Sequence, residues 1–334
     1  MRMRERNMEK KICLIIPTKD RPRAIEAYLA SQAELAGKLN IDILIQDSSA
    51  AQETQRVVQT YQKKGIRCLK YVHYKEKPGI KAIDDKVKAI CCLAAQKYDH
   101  LCFSSDGTII RLDRIWTRVL PYMEREFELI VNGDVRLELQ NELIVDTPEC
   151  LLRKCVWRML SLGSTIVSSR LMRECLDYDR AHEKEIQDLW IPMVYFRTLA
   201  SRKQMKAVYL YIPDAIEINP YIQESFWRKQ GLALWQWGER WCKVIDSLPT
   251  VYDAVKRETL LSHDRYRHVF SPLSIVGLRA YGNFSLKDIK QYKMYIPMVT
   301  DTPVWFFYLA AVLIRPWFAM KLKEIYKRAR GTKG

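Results

Sequence analysis

No run of apolar residues in this chain is long enough to cross a bilayer. The best candidate, Val304 to Ile314 (VWFFYLAAVLI), is cut by Arg315-Pro316, and spanning takes about twenty uninterrupted apolar residues. The basic opening MRMRERNMEKK has no apolar segment behind it, so a secretory leader is not expected. The nine cysteines, at positions 13, 68, 91, 92, 102, 150, 155, 175 and 242, show neither metal-ligand nor disulfide-framework spacing. That excludes a disulfide scaffold and points to a reducing cytoplasm, with the thiols serving as small hydrophobes. Internal repeats and low-complexity linkers are absent too, which excludes a repeat array.

What is present describes a folded, basic chain. Its 334 residues, 48% hydrophobic and 11% aromatic, can bury a full core, enough for one large domain plus an appendage. Lys and Arg number 55 against 39 Asp and Glu, a formal charge of +16. Such an excess suits a polyanionic partner: nucleic acid, a phosphorylated substrate or an anionic membrane surface.

The first hundred residues hold the main signal. Lys11 to Ile16 (KICLII) runs into Pro17-Thr18-Lys19-Asp20-Arg21-Pro22, Ile41 to Gln46 (IDILIQ) into Asp47-Ser48-Ser49, and His100 to Ser104 (HLCFS) into Ser105-Asp106-Gly107. Cys68 to Tyr74 (CLKYVHY) reads as a further strand. Helices are expected over Arg21–Ala36, Ala51–Lys64 and Ile80–Gln96, the last carrying Ile80, Ile83, Val87, Ile90 and Ala94 on one face. Strand and helix in alternation predict an α/β fold, Rossmann-like, with a mostly parallel sheet and helices on both faces. Ligands bind outside the carboxyl ends of such strands, where polar residues cluster here, so one nucleotide-type site is expected.

Beyond Leu112 the rhythm changes. Leu129 to Leu137 reads as two short strands around an Asn132-Gly133 turn. Gly163–Val167 reads as a strand, Ser169–Asp177 and Glu183–Gln204 as helices, and Ala207–Ile212 as a strand. After Pro213 the chain is mainly helical and rich in aromatics, with Trp227, Trp235, Trp237 and Trp241 close together. These indoles suit helix-core packing, sugar stacking or a membrane interface. Trp317, Phe318 and the basic residues Lys321, Lys323, Lys327, Arg328, Arg330 and Lys333 follow the apolar stretch. That combination suits a helix lying in the headgroup region of an anionic leaflet, or a helix packed on its own domain.

The ordered motifs resemble those of the family 2 glycosyltransferases, which have the GT-A fold and move a sugar from a nucleotide diphosphate to an acceptor. Ile15-Ile16-Pro17-Thr18-Lys19-Asp20-Arg21 is similar to the family's opening I-I-P-T-x-[ND]-R, and Leu44 to Ser49 to its V-V-D-D-[GS]-S. Pro78-Gly79-Ile80-Lys81-Ala82 falls at the G-x-x-x-A-x-N helix entry, and Leu101 to Asp106 at the D-x-D strand end. Gly163-Ser164 resembles the acceptor-side glycine, and Glu185 to Trp190 the E-D-x-x-[LW] helix start. The similarity spans about residues 11 to 200.

The resemblance implies particular roles. Pro17, Thr18, Asp20, Arg21, Asp47, Ser48 and Lys81 would bind nucleotide, Asp106 a Mn²⁺ or Mg²⁺ ion, and Gly163 and Ser164 the acceptor. Asp188, with Glu185 as second candidate, would be the general base of an inverting transfer. The chain is expected to divide at 1–212 (nucleotide sugar and acceptor), 213–300 (helical extension) and 301–334 (basic, membrane-associating tail), the last two read from their own composition. UDP is the default nucleotide. A glycan or polyprenyl-linked acceptor, surface polysaccharide synthesis and a peripheral place on the inner face of the plasma membrane complete the expectation.

Two positions depart from the pattern. Ser104 replaces the first acid of D-x-D, and Gln187 replaces the Glu before the base. Bland readings stand beside the functional ones: Asp20 and Asp47 as helix caps, Asp106-Gly107 as a turn, Asp188 and Lys81 as solvated helix residues, and His182 as a structural or exposed residue. Two rival classes also remain. A nucleotidyltransferase would carry glycine in the first loop, which Pro17 to Asp20 lacks. A non-catalytic protein binding membrane or nucleic acid is the other, although the charge here is dense only in the tail.

Overall fold

The computed structural model describes residues 11–75, 82–182, 186, 188–221 and 231–321. It divides into two units, residues 1–151 with 158–222, and residues 152–157 with 223–334. The strands are β1 (Ile12–Thr18), β2 (Ile41–Asp47), β3 (Leu69–His73), β4 (His100–Phe103), β5 (Thr108–Ile110), β6 (Leu129–Gly133), β7 (Glu142–Val145), β8 (Thr165–Ser168), β9 (Ala207–Tyr211) and β10 (Ile216–Ile218). Helices α1 (Pro22–Lys38), α2 (Glu53–Lys63), α3 (Ala82–Ala94), α4 (Leu112–Glu124), α5 (Pro148–Met159), α6 (Ser169–Ala181) and α7 (Trp190–Leu199) lie between them.

Eight strands form one sheet in the order β3-β2-β1-β4-β8-β6-β9-β7, and β5 pairs with β10. β1 to β4 are mutually parallel. β8 runs antiparallel between β4 and β6, and β7 antiparallel to β9. β1 is buried along its whole length, which is why it reads as a continuous apolar run without alternation. Ile12, Leu14 and Ile16 pack with Ile25, Tyr28 and Leu29 of α1 on one face. Cys13, on the other parity, lies near Cys91 of α3. Helices α1, α2 and α4 pack together, as do α3, α6 and α7. The α/β class and the helix-flanked, mostly parallel sheet are as expected.

Two local expectations fail for identifiable reasons. Asn132-Gly133 is not a turn but the end of β6, which pairs with β8 and β9. A Cβ at Gly133 would lie 2.0 Å from the Tyr209 hydroxyl, so this glycine marks a close approach between neighbouring strands. Of the helix expected over 183–204, the described part is α7, Trp190–Leu199, and Leu189 just before it is left-handed (φ 51°) and does not continue it. There the Asp84 carboxylate accepts the Trp190 N–H at 3.2 Å and the buried Asp179 accepts its indole N–H at 2.8 Å. The first unit also extends past residue 212, since β10 pairs with β5.

The second unit is helical among its described residues. Trp241 is buried and donates to the Leu260 carbonyl. Trp237 stacks on the buried His263 with centroids 3.7 Å apart. Trp227 lies outside the described residues. Phe284 meets Phe270 and Phe307 edge-on, and Phe270 and Phe307 meet at a tilt, a cluster that seats the helix Val304–Leu313. Arg279 holds the end of that helix by donating to the carbonyls of Ala311 and Ile314, a favourable use of a cation at a helix C-terminus. Among the described residues no helix is long and apolar enough to cross a membrane.

Candidate active site

From β1 the chain steps outward through β2 to β3, then returns to place β4 on the opposite side of β1. The carboxyl ends of β1 and β4 therefore diverge at a topological switch point, where open α/β sheets bind ligands. A cleft of about 320 Å³ opens there, within the size range of small-molecule sites. The end of β1 and the loop after it line it with Pro17 to Arg21, the loop after β2 with Ser48, and the loop after β4 with Ser105 and Asp106. Thus Pro17, Thr18, Asp20, Arg21, Ser48 and Asp106, far apart in sequence, share one cleft.

Local chemistry fixes these loops. Asp20 takes a left-handed conformation (φ 53°), which Asp tolerates better than most residues, and its N–H donates to Ser49 Oγ at 2.7 Å. That turn delivers the chain into α1, with Pro22 in the first helical turn. Neither Asp20 nor Asp47 caps a helix, since Arg21 and Gln52 hold the N-cap positions. Asp47 is fully buried. Its Oδ1 accepts from the N–H and hydroxyl of Ser49 at 3.0 and 2.5 Å, and its Oδ2 from the Tyr71 hydroxyl at 3.0 Å. Asp47 therefore shapes the β2 loop from beneath. Burial and the Asp47 carboxylate push the Tyr71 phenol up to about 12.

Asp106 sits at the floor of the cleft and is 6% exposed. Its Oδ1 pairs with Arg21 Nη1 at 2.7 Å and its Oδ2 accepts from the Thr18 hydroxyl at 2.8 Å. The largest omission from the sequence reading is Lys86, on α3. Only 2% exposed, it lines the cleft and donates from Nζ to the Thr18 carbonyl and, at 2.9 Å, to Ser48 Oγ. Gln46 anchors its backbone by donating to the Lys86 carbonyl at 2.7 Å. The signal was available: Lys86 lies four residues before the buried Ile90 on the apolar face of α3. Ile83, placed on that face from sequence, is half exposed and lines the cleft.

Of the other expected site residues, the described ones, Asp47, Gly163, Ser164 and Asp188, are not among those lining this cleft. Gly163 has φ 103°, closed to most side chains, and its carbonyl accepts from the buried Asn132 amide at 3.1 Å. The Ser164 hydroxyl is buried and directed at the carbonyls of Arg158 and Ser161 (2.7 and 2.6 Å), so it fixes the turn into β8. Asp188 is half-buried just ahead of α7, and its Oδ1 accepts the Leu189 N–H at 2.9 Å. Lys81 and Glu185 lie outside the described residues. His182 is exposed and stacks on Tyr178.

Among the described residues the donor set does not make a built-in divalent metal site. Both oxygens of Asp106 are engaged, one by a guanidinium. Ser104, at the position of the missing acid, is buried within reach of the Ser105 and Thr108 carbonyls at 3.3 and 3.4 Å. Among the described residues no three His, Cys, Asp or Glu side chains gather closely enough to hold an ion. Among the described residues the cleft is lined by Lys19, Arg21 and Lys86 together with Asp20 and Asp106.

No protein-family model and no curated protein matches the chain. Solved structures with related architecture include S. aureus TarS 1-349 in complex with UDP-GlcNAc, at 14% identity and TM-score 0.48, covering 94% of this chain and 92% of that one. The mannosyltransferase PcManGT from Pyrobaculum calidifontis, in complex with GDP-Man and Mn²⁺, has 13% identity and TM-score 0.46 over 91% of this chain and 87% of its own. Glucosyl-3-phosphoglycerate synthase from Mycobacterium tuberculosis, in complex with Mn²⁺ and UDP-glucose, has 14% identity and TM-score 0.40 over 67% and 75%.

Proposed function

We propose that this chain is a glycosyltransferase, moving a sugar from a nucleotide diphosphate sugar, UDP in the simplest case, to a hydroxyl of a glycan or lipid-linked acceptor. The observation that carries this is the convergence of three strand-end loops and Lys86 on one cleft at the switch point. Departure of a nucleoside diphosphate builds negative charge, and cations fixed where that charge develops lower the barrier. Asp188 is the proposed general base, drawing the proton from the acceptor hydroxyl as its oxygen attacks the anomeric carbon. Direct displacement by that oxygen inverts the configuration. Incubation with UDP- and GDP-sugars and a membrane-derived acceptor fraction tests this. Nucleoside diphosphate release, slowed about 10²–10⁴-fold by Asp188→Asn, is expected. Absence of release with every donor, from folded protein, would sink the proposal.

The acceptor side of the proposal places the protein on an anionic leaflet at the inner face of the plasma membrane, in surface polysaccharide synthesis. Trp305, Leu309, Val312 and Leu313 form an exposed stripe at i, i+4, i+7 and i+8, while Phe307 and Ala310 face the unit's core. Trp317, Phe318 and Met320 continue the exposed apolar surface, and Lys321 lies over the Trp317 ring. No charged residue falls between Asp301 and Arg315, and five more Lys or Arg follow Lys321. Apolar residues backed by basic ones favour anionic lipid over a second copy, since two chains of +16 repel.

A further inference from the structure

We infer that Trp190 is a positioning residue for Asp188, aiming its carboxylate through a buried bond between the Trp190 indole and Asp179. The inference rests on the reading of Asp188 as general base and adds what holds that base in place. Leu189, between the two residues, is left-handed (φ 51°). A leucine is strained in that region and keeps to it only where its surroundings over-determine the conformation. Three bonds do so here. Asp188 Oδ1 accepts the Leu189 N–H at 2.9 Å, Asp84 Oδ1 the Trp190 N–H at 3.2 Å, and Asp179 Oδ1 the Trp190 indole N–H at 2.8 Å. Trp190 is 4% exposed and Asp179 3%, so the indole bond lies out of water, where it is strongest. Lys88 of α3 pairs with the same Asp179 carboxylate, so the group that receives the indole is itself anchored. An indole has only two side-chain torsions. Gripping its N–H therefore fixes the backbone of Trp190, and with it the turn that carries Asp188.

The same anchors tie that turn to the cleft. Ile83 and Lys86 of α3 line the cleft, and Asp84, between them, reaches Trp190. The start of α7 is thus held from α3 by Asp84 and from α6 by Asp179, and the three helices pack together. Trp190 is not among the residues lining the cleft, so its effect on transfer passes through Asp188. A general base must stay within hydrogen-bond reach of the proton it takes, and a shift of about 1 Å in a reacting group can cost about 10²-fold in rate. Trp190→Phe keeps an aromatic ring at the start of α7 and removes the indole donor, which separates the bond from the packing.

Steady-state nucleoside diphosphate release by the full chain, with UDP- and GDP-sugars and the membrane-derived acceptor fraction, tests this. It is measured for wild type, Trp190→Phe, Asp188→Asn and the double variant. Trp190→Phe should lower kcat about 10–100-fold while the donor KM stays within about twofold of wild type. In the Asp188→Asn background it should cost less than about threefold more, because it acts through a base already removed. Unfolding midpoints establish that each variant is folded. If Trp190→Phe is not, Asp84→Ala, at a half-buried position, carries the test with the same expected split. A kcat within about twofold of wild type overturns the inference and leaves the transfer reading standing. Full additivity with Asp188→Asn, or equal losses in kcat and donor affinity, also overturns it, since either marks a merely structural role. A wild-type rate in Asp188→Asn overturns it together with the base assignment. No release from any donor, by folded wild type, removes the transfer reading and the inference together.

Discussion

Replacing both Val312 and Leu313 by serine tests the membrane surface without disturbing the fold. The two side chains are 63% and 66% exposed, so neither contributes much to the core and the unfolding midpoint should not move. Full burial of an aliphatic side chain is worth about 1.5–3 kcal/mol. Two-thirds of that, recovered when the face enters lipid, gives about 1–2 kcal/mol each and about 2–4 kcal/mol together. The vesicle partition coefficient should therefore fall about 30- to 700-fold. Sedimentation with phosphatidylserine-containing vesicles, against pure phosphatidylcholine, reads this directly. Wild type should favour the anionic vesicles and lose that preference at high salt, as screening requires. If the double variant sediments like wild type, the stripe is not the docking face and the reasoning fails.

Other consequences reach different parts of the molecule. Gly133→Ala forces a methyl to within 2.0 Å of the buried Tyr209 hydroxyl, so urea unfolding should show a loss of about 1–3 kcal/mol or more; an unchanged midpoint would mean that β6 and β9 do not pack as described. Asp84→Ala removes the acceptor for the Trp190 N–H at the start of α7. It should cost about 0.5–2 kcal/mol, as loss of a helix cap does, and slow sugar transfer while leaving UDP affinity intact; equal losses in both would place Asp84 in the donor site. Burial, reinforced by Arg267, pushes His263 down to about 3. The unfolded chain then binds the extra proton between roughly pH 6.5 and 3, so stability is full above pH 6.5 and falls as pH drops through that window, at up to about 1.4 kcal/mol per unit. His263→Phe, which keeps a ring against Trp237, should flatten that slope; an unchanged slope would show that His263 is not its source.

Where one residue type decided the local structure, the sequence was legible. β1 and β2 could be read from apolar runs because they are buried, and their polar ends marked the cleft because a strand end is where polar backbone and side chains meet solvent. Pro22 opened α1 as its fixed φ requires. What could not be read depended on contacts across the chain. Gly133 looked like a turn residue because nothing local announces the Tyr209 ring beside it. The first N–H of α7, on Trp190, is satisfied by Asp84, more than a hundred residues away. Asp47 read as a ligand contact, yet Ser49 and Tyr71 take up its carboxylate, and Tyr71 lies on the next strand. Lys86 was passed over because a lysine in a helix usually reaches solvent; its place on the apolar face of α3 was the overlooked sign.

The most direct test of the central claim is a crystal structure of the chain soaked with UDP. The account predicts the diphosphate in the cleft between the ends of β1 and β4, within hydrogen-bond distance of the Arg21 guanidinium. UDP bound elsewhere, or a cleft that stays empty at saturating UDP with Arg21 still closed on Asp106, would contradict it.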